Sequence, residues 1–436
     1  MKRIAVIITI LHSILLAQFS TYILCEGNFG SLNASLWSID RDFTEISGPL
    51  FWDQGNNPLG DVGQNLKIHR DRLFIIMNNS NTIEIADLRN GFEYLTTINL
   101  PNAGPRDLEI INNIAYVSCW YLGGIVVIDL DGYAIIDTLN LGALPEDLLY
   151  YNERLFATIT MNADWSAANR VIAFDVSHTT PQPSDTFTVV SGPEEMIGFQ
   201  NYLYITSTYY DNDWNSYAGN SRIDLNTGEV ITKDFGISYS FGRDITVLND
   251  KIYRTYRNGI YALTDSLTMD TSDHIGDYST IYSMSSYDGY IFFGLSDYVA
   301  PDNIAITDLN GTEICNFQTG AFPGSFAFYD ASSLSCDDAG DPVCTGFRLS
   351  PNYPNPFNGA TLIPFQIHEP NNYRLSVFNV LGQEIAVLCD TRLPNGDYRI
   401  LWDGSNQNGG QISSGIYFAI LETDGKRISQ KMIFQK

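Results

Sequence analysis

"GPRDLEIINNIAYVSCWYLGGIVVIDL", residues 104–130, is a sentence that this chain restates. Residues 144–160 read "LPEDLLYYNERLFATIT" and residues 192–208 read "GPEEMIGFQNYLYITST". "VGQNLKIHRDRLFIIMNNSNTIEIADL" (62–88) comes before them, and "FGRDITVLNDKIYRTYRNGIYAL" (241–263) after. Each copy runs from a short alternating stretch through an Asn- or Asp-bearing turn into a second apolar stretch. That is the pattern of strands paired through tight turns. The apolar residues that open the copies are Leu66, Leu108, Leu148, Met196, Ile245, Met284 and Phe326. They stand 42, 40, 48, 49, 39 and 42 residues apart.

A period in the forties with about four strands per unit predicts the blades of a β-propeller. In the second unit "DLEIIN", "IAYVSCW", "GIVVIDL" and "AIIDTLNL" supply the four strands in order. One blade cannot bury both its faces, so blades must stack around an axis and the ring must close. Residues 326–329, "FAFY", read as a first strand with nothing behind it, while "YILCEG", "ASLWSID" and "FTEISG" near the N-terminus read as three strands lacking a first. Joined, they make a seventh blade and leave no exposed sheet edge.

Composition agrees with strands and turns. Of 436 residues, 13% are aromatic and 17% charged, with 35 glycines. The formal net charge of -26 repels phosphate backbones and anionic lipid, so no nucleic-acid partner is expected. Lys2 and Arg3 precede the apolar run "IAVIITILHSILLA" and then "QFS", the layout of a secretory signal over residues 1–20, with Ala17 and Ser20 as cleavage positions. No later run approaches the roughly 18 apolar residues of a membrane span, so none is expected in the mature chain. Export permits disulfides: Cys336 and Cys344 share a short polar loop where a local bridge closes easily. Cys25, Cys119, Cys315 and Cys389 fall in strand-like segments and read as buried thiols.

"AYVSCW", "LYITST" and "LFATIT" after an Asn or Asp turn, with "VIDL" beyond, resemble the YVTN-type seven-bladed propellers. "LCEGNFGSLNASLWSID" resembles the opening of their secreted bacterial surface relatives. The resemblance covers residues 21–330. It implies a fold and leaves function open, since propellers host binders, scaffolds and enzymes alike.

Residues 331–346 turn polar and read as a linker. Beyond it, "NYPNPFN", "VFNVLGQEI", "WDGSNQNGGQISSGIYF" and the terminal "KMIFQK" occur in order. Short alternating strands bracketed by Pro and Asn-Gly over residues 347–436 suit a small β-sandwich. These motifs resemble the type A C-terminal sorting domain of type IX secretion, and the Ig-like module of flagellar hook-capping proteins. The resemblance implies a secreted or cell-surface protein that meets the type IX secretion machinery through residues 347–436. The expected fold class is therefore all-β, a seven-bladed β-propeller followed by a small Ig-like β-sandwich.

In a propeller the loop entering each innermost strand opens on one face together with the loop between the two middle strands. Arg106-Asp107, Glu146-Asp147, Glu194-Glu195 and Arg243-Asp244 all fall at such entrances and should ring one mouth of the channel. Like charges held near one axis raise each other's pKa unless a cation offsets them. The alternative is that each pair caps its own turn and contacts the neighbouring blade. The longest insertions reach the same face, bringing Trp120, Trp165 and Trp214 with Tyr210, Tyr217 and Asp164. Exposed aromatics among carboxylates suit an extracellular glycan or peptide. "DNDWN" places Asp211, Asp213 and Asn215 at alternate positions, as a calcium loop does, though without the Gly and distal Glu of an EF-hand. No GxSxG or phosphate-cradling motif is present, and His69, His178, His274 and His368 all lie away from the strand entrances, so no catalytic residue is assigned. A binding or adhesion module is the leading reading. A calcium-dependent lactonase-like hydrolase at the acidic mouth is the alternative.

Overall fold

The computed structural model describes residues 19–51, 58–89, 91–299, 301–330, 347–349, 352, 355–367, 371–380, 382–394, 396–407, 410–423 and 426–435. Residues 1–18 of the expected signal segment, the linker and the Cys336–Cys344 loop lie outside these residues. Two compact units emerge, one of them spanning Phe19–Tyr329.

The described residues of that unit form seven four-stranded sheets. Blade 1 covers residues 63–99, blade 2 105–140, blade 3 143–188, blade 4 193–237, blade 5 241–275 and blade 6 281–318. Blade 7 takes its innermost strand, Pro323–Asp330, from the C-terminal end of the unit. Its other three, Phe19–Cys25, Ser35–Asp40 and Ile46–Ser47, come from the N-terminal end. The ladder between the first two of these starts at Ser20, opposite Asp40. The tight turns use Asn as a left-handed residue: Asn112-Asn113, Asn152-Glu153 and Asn249-Asp250 all hold positive φ at both positions, as two-residue hairpin turns require.

Each blade buries its faces against the next. Ile85 and Ile98 of blade 1 pack on Val117 and Val126 of blade 2. Blade 2 meets blade 3 through Ile125 and Ala157, and blade 3 meets blade 4 through Phe156 and Ile205. Ile260 and Phe293 join blades 5 and 6, and Phe292 and Ile23 join blades 6 and 7. Between blades 4 and 5 the seam is polar. Arg254 of blade 5, fully buried, donates to the carbonyls of Gly219 (2.6 Å) and Ser207 (3.3 Å) and to Asn220 Oδ1 (2.7 Å). Burial pulls that guanidinium down to about 10. At the last seam Tyr329 of blade 7 donates to Asp71 Oδ1 of blade 1 at 3.0 Å. This is the ring of a β-propeller. Among the described residues no helix is long and apolar enough to cross a membrane.

The tail forms a three-stranded and a four-stranded sheet around one core that includes Phe365, Leu375, Val377, Trp402, Leu421 and Phe434. Its motifs hold the terminal strand. In "NYPNPFN" the Asn355 Oδ1 accepts from Ile433 N at 2.8 Å, and Phe357 packs on Phe434 with ring centroids 5.0 Å apart. In "WDGS" the Asp403 carboxylate accepts from Ser405 N at 3.0 Å and closes a turn under Trp402, whose indole donates to the Ser405 carbonyl at 3.0 Å.

Of the thiols expected to be buried, Cys25 and Cys119 are, whereas Cys315 and Cys389 are partly exposed; all four are unbridged. Cys315 lies on the outermost strand of its blade, where one face meets solvent.

Candidate functional site

The innermost strands converge on an axial cavity of about 350 Å³. The charged pair in each copy sits at a β-bulge. Pairing with the second strand is interrupted between Pro105 and Leu108, Pro145 and Leu148, Pro193 and Met196, and Phe241 and Ile245. In blades 2, 3 and 4 two residues therefore face one across the ladder, and in blade 5 three, Gly242, Arg243 and Asp244, face Thr255, so the charged pairs are re-aimed out of the sheet alternation. The preceding proline opens the strand in blades 2 and 4, and in blade 3 it stands at the bulge itself.

The two members of a pair have different partners. The second member reaches the next blade. Asp107 Oδ2 accepts from Leu148 N at 2.9 Å, and Asp147 Oδ2 accepts from Met196 N at 2.7 Å. In blades 4 and 5 the backbone N–H groups of Ile245 and Met284 favour the charged forms of Glu195 and Asp244 in the same sense. A hydroxyl on each second strand completes the clasp. Ser118 Oγ accepts from Asp107 N (3.0 Å) and donates to the Glu146 carbonyl (2.5 Å). Thr158 Oγ1 accepts from Asp147 N (2.9 Å) and donates to the Glu194 carbonyl (3.0 Å). Thr206 Oγ1 accepts from Glu195 N (3.3 Å) and donates to the Arg243 carbonyl (2.6 Å). The charged pairs thus do both things weighed from sequence: they line the mouth, and they fasten blade to blade.

The first members form the rim. Arg106 grips Glu146 with two hydrogen bonds, 2.9 and 2.6 Å, and donates to Gln64 Oε1 at 2.6 Å. Arg243 approaches Glu195 at 3.4 Å. Three participants were not anticipated. Lys67 and Glu109, one residue past the anchors of blades 1 and 2, form an ion pair at 2.9 Å. Glu26 follows the second strand of blade 7 and fills the slot that its neighbours fill from the innermost strand: a Cβ on Gly324 would lie 2.6 Å from Glu26 Oε1. Alignment of "YILCE" with "YVSCW" was the available signal, since it places Glu26 where Trp120 stands.

Burial dominates the titration of this cavity. It pushes Glu194 up to about 7, with the Arg243 charge opposing. Burial and then the neighbouring Glu195 charge push Asp244 well above the carboxylate range; burial and then Asp107 do so for Asp147. Glu26 is also raised, by burial.

The aromatics divide into groups. Trp120 carries the Arg106 guanidinium 4.0 Å from its ring centroid and meets Trp165 edge-on at 6.0 Å. Tyr210 and Trp214 pair at 6.3 Å on the next blade's loop. Tyr217 instead stacks on Tyr209 at 4.8 Å. Tyr282, Tyr298 and Phe322 make a further group across the mouth. Trp165 is 53% and Trp214 79% exposed. In "DNDWN" the Asp211 carboxylate closes its own turn, accepting from Asp213 N and Asn215 N at 2.9 Å each and from the Asn215 side chain. Asp164 does the same for Ser166. Among the described residues no three His, Cys, Asp or Glu side chains are grouped to hold a metal.

Residues 352–435 match the family described as the secretion system C-terminal sorting domain. No curated protein sequence matches the chain. Three solved structures share the propeller. A 6-phosphogluconolactonase candidate from Bacteroides fragilis NCTC 9343 is 12% identical, with TM-score 0.51, covering 72% of this chain and 98% of that one. A second such candidate, from Bacteroides uniformis ATCC 8492, is 13% identical with TM-score 0.51, covering 72% and 100%. A functionally unknown protein from Desulfotomaculum acetoxidans DSM 771 is 11% identical with TM-score 0.53, covering 71% and 98%. At such identities the likeness establishes the fold and carries no activity with it. The sorting tail marks the protein for type IX secretion, to the cell surface or the extracellular space.

Proposed function

We propose that the propeller is a non-catalytic binding or adhesion module of YVTN type, delivered outside the cell by an Ig-like sorting tail, with the channel mouth as its ligand face. The leader of residues 1–20 supports a first step of export across the inner membrane. One observation carries the binding reading. The second carboxylates of blades 2 and 3, Asp107 and Asp147, are engaged by backbone N–H groups of the next blade, while Trp165 and Trp214 stand exposed on the same face. Side chains that hold a ring together are poorly placed to cycle through a reaction, whereas exposed rings offer area for stacking. The ligand class is an extracellular glycan or peptide. Binding of the purified protein to glycan and peptide arrays tests this. Signal is expected from the wild type and loss from the Trp165→Ala, Trp214→Ala double variant. Undiminished binding by that variant moves the site off this face.

The hydrolase reading keeps one specific support, a buried Glu194 pushed up to about 7, the range of a general acid–base. A lactone and ester screen separates the two. Turnover that chelator abolishes, and that Glu146→Gln or Glu194→Gln also abolishes, would replace the binding assignment.

A further inference from the structure

The axial cavity carries a charge imbalance that its own ion pairs leave standing. Lys67 is paired with Glu109, and Arg106 with Glu146. Arg243 is then left among four carboxylates, Glu195, Asp244, Glu26 and Glu194. Asp107 and Asp147 are satisfied by backbone N–H groups of the next blade. Asp244 is not. Its Oδ2 is buried with no hydrogen-bond partner. The residue lines the cavity and is only 5% exposed. An acceptor left open at the wall of a cavity asks for a donor from outside the chain.

We propose that this cavity receives an organic cation, an ammonium or guanidinium group at the tip of an extended stem, with Asp244 and Glu194 as its acceptors. The inference rests on the mouth being the ligand face and narrows what enters it. A volume of about 350 Å³ falls within the range of small-ligand pockets, roughly 300–1,000 Å³. A divalent metal needs several ligands converging at about 2.3–2.6 Å, and among the described residues no three His, Cys, Asp or Glu side chains are grouped to supply them. An ammonium group carries three diverging donors and suits acceptors spread around a wall. A neutral sugar hydroxyl would leave these raised carboxyls holding their protons, whereas a cation favours their charged forms. Outside the cavity the stem meets the aromatic rim, where Trp120 already stacks on one guanidinium, that of Arg106.

The test is calorimetric titration of the mature full-length protein with spermidine and with the tripeptide Gly-Lys-Gly, the two distinguishing a free amine from a peptide-borne one. Binding of at least one probe is expected, tighter at pH 8 than at pH 6 and unchanged by chelator. Acetylation of the lysine should abolish the peptide's binding. Asp244→Asn and Glu194→Gln should each weaken binding about tenfold. Glu194→Gln is the safer variant, because its side chain takes no part in the blade-to-blade clasp. Absence of binding by both probes overturns the proposal, as does full affinity in both variants or dependence on a metal. The two readings fail separately. Array ligands that bind wild type and Glu194→Gln equally would sink the cationic cavity alone. Loss of array binding never occurring in the tryptophan double variant would sink the aromatic face alone.

Discussion

Ser325 donates a hydrogen bond of 2.7 Å to Asn65 across 260 residues of sequence, and the same hydroxyl accepts from Leu66 N at 3.1 Å. This is the seam at which blade 7 meets blade 1. Ser325→Ala removes both bonds, while Leu66 N keeps its 2.8 Å bond to Asn65 Oδ1. A loss of about 0.5–1.5 kcal/mol is expected, read as a lower urea midpoint at unchanged slope.

Thr158 serves two blades with one oxygen. Thr158→Val keeps the shape and deletes the hydroxyl, stranding the Asp147 N–H and the Glu194 carbonyl. A cost of about 1–3 kcal/mol is expected by chemical denaturation, with Thr158→Ser restoring most of it. Equal stability of the valine and serine variants would show the relay to be dispensable.

Stability should peak below neutral pH. Glu194 shifts from 4.5 to about 7 through burial, with Arg243 and Arg254 opposing and Glu146 reinforcing. The folded state therefore holds a proton that the unfolded chain has released. That contribution is fully present below pH 4.5 and is lost as pH rises through about 7, on the order of 1–3 kcal/mol for this one group. The opposite sign applies to Asp87 and Asp273, lowered by their hydrogen bonds to Arg89 and Lys251: their contribution is present above pH 3.8 and fades as pH falls through the folded values. Thermal melts across pH 3 to 9 should give a maximum near pH 5, and Glu194→Gln should flatten the alkaline limb.

Removing residues 347–436 should leave the propeller in the periplasm, detected by fractionation and immunoblot. Continued appearance at the surface or in the medium would contradict the role of the tail. Asn355→Ala should act more mildly, freeing the terminal strand that Asn355 clips and lowering the exported fraction.

How much of this was legible beforehand follows from the range of each interaction. The blades were readable because anchors such as Leu108 and Leu148 recur with their turns, and each blade is local in sequence. Closure was readable because "FAFY" lacked three strands that the N-terminus supplied. The rim pairs were readable from position. That Asp107 fastens Leu148 while Arg106 faces Glu146 was only one of two readings, since a bulge rather than simple alternation sets where each side chain points. Lys67 and Glu109 were missed because single charges on apolar strands announce no partner 42 residues away. Glu26 was missed because its role depends on an empty Cβ position at Gly324 in a strand from the other end of the unit.

The shared blade also orders assembly in time. Six sheets can each form as soon as their own four consecutive strands exist, but the strand Phe19–Cys25, the first made, waits for Pro323–Asp330, almost the last. Loop-closure entropy weighs on that one pairing more than on any other in the unit. A chain emerging from a membrane pore is therefore a row of hairpins that becomes a ring in a single late event, and the earliest strand remains a loose end until Pro323–Asp330 has followed it out.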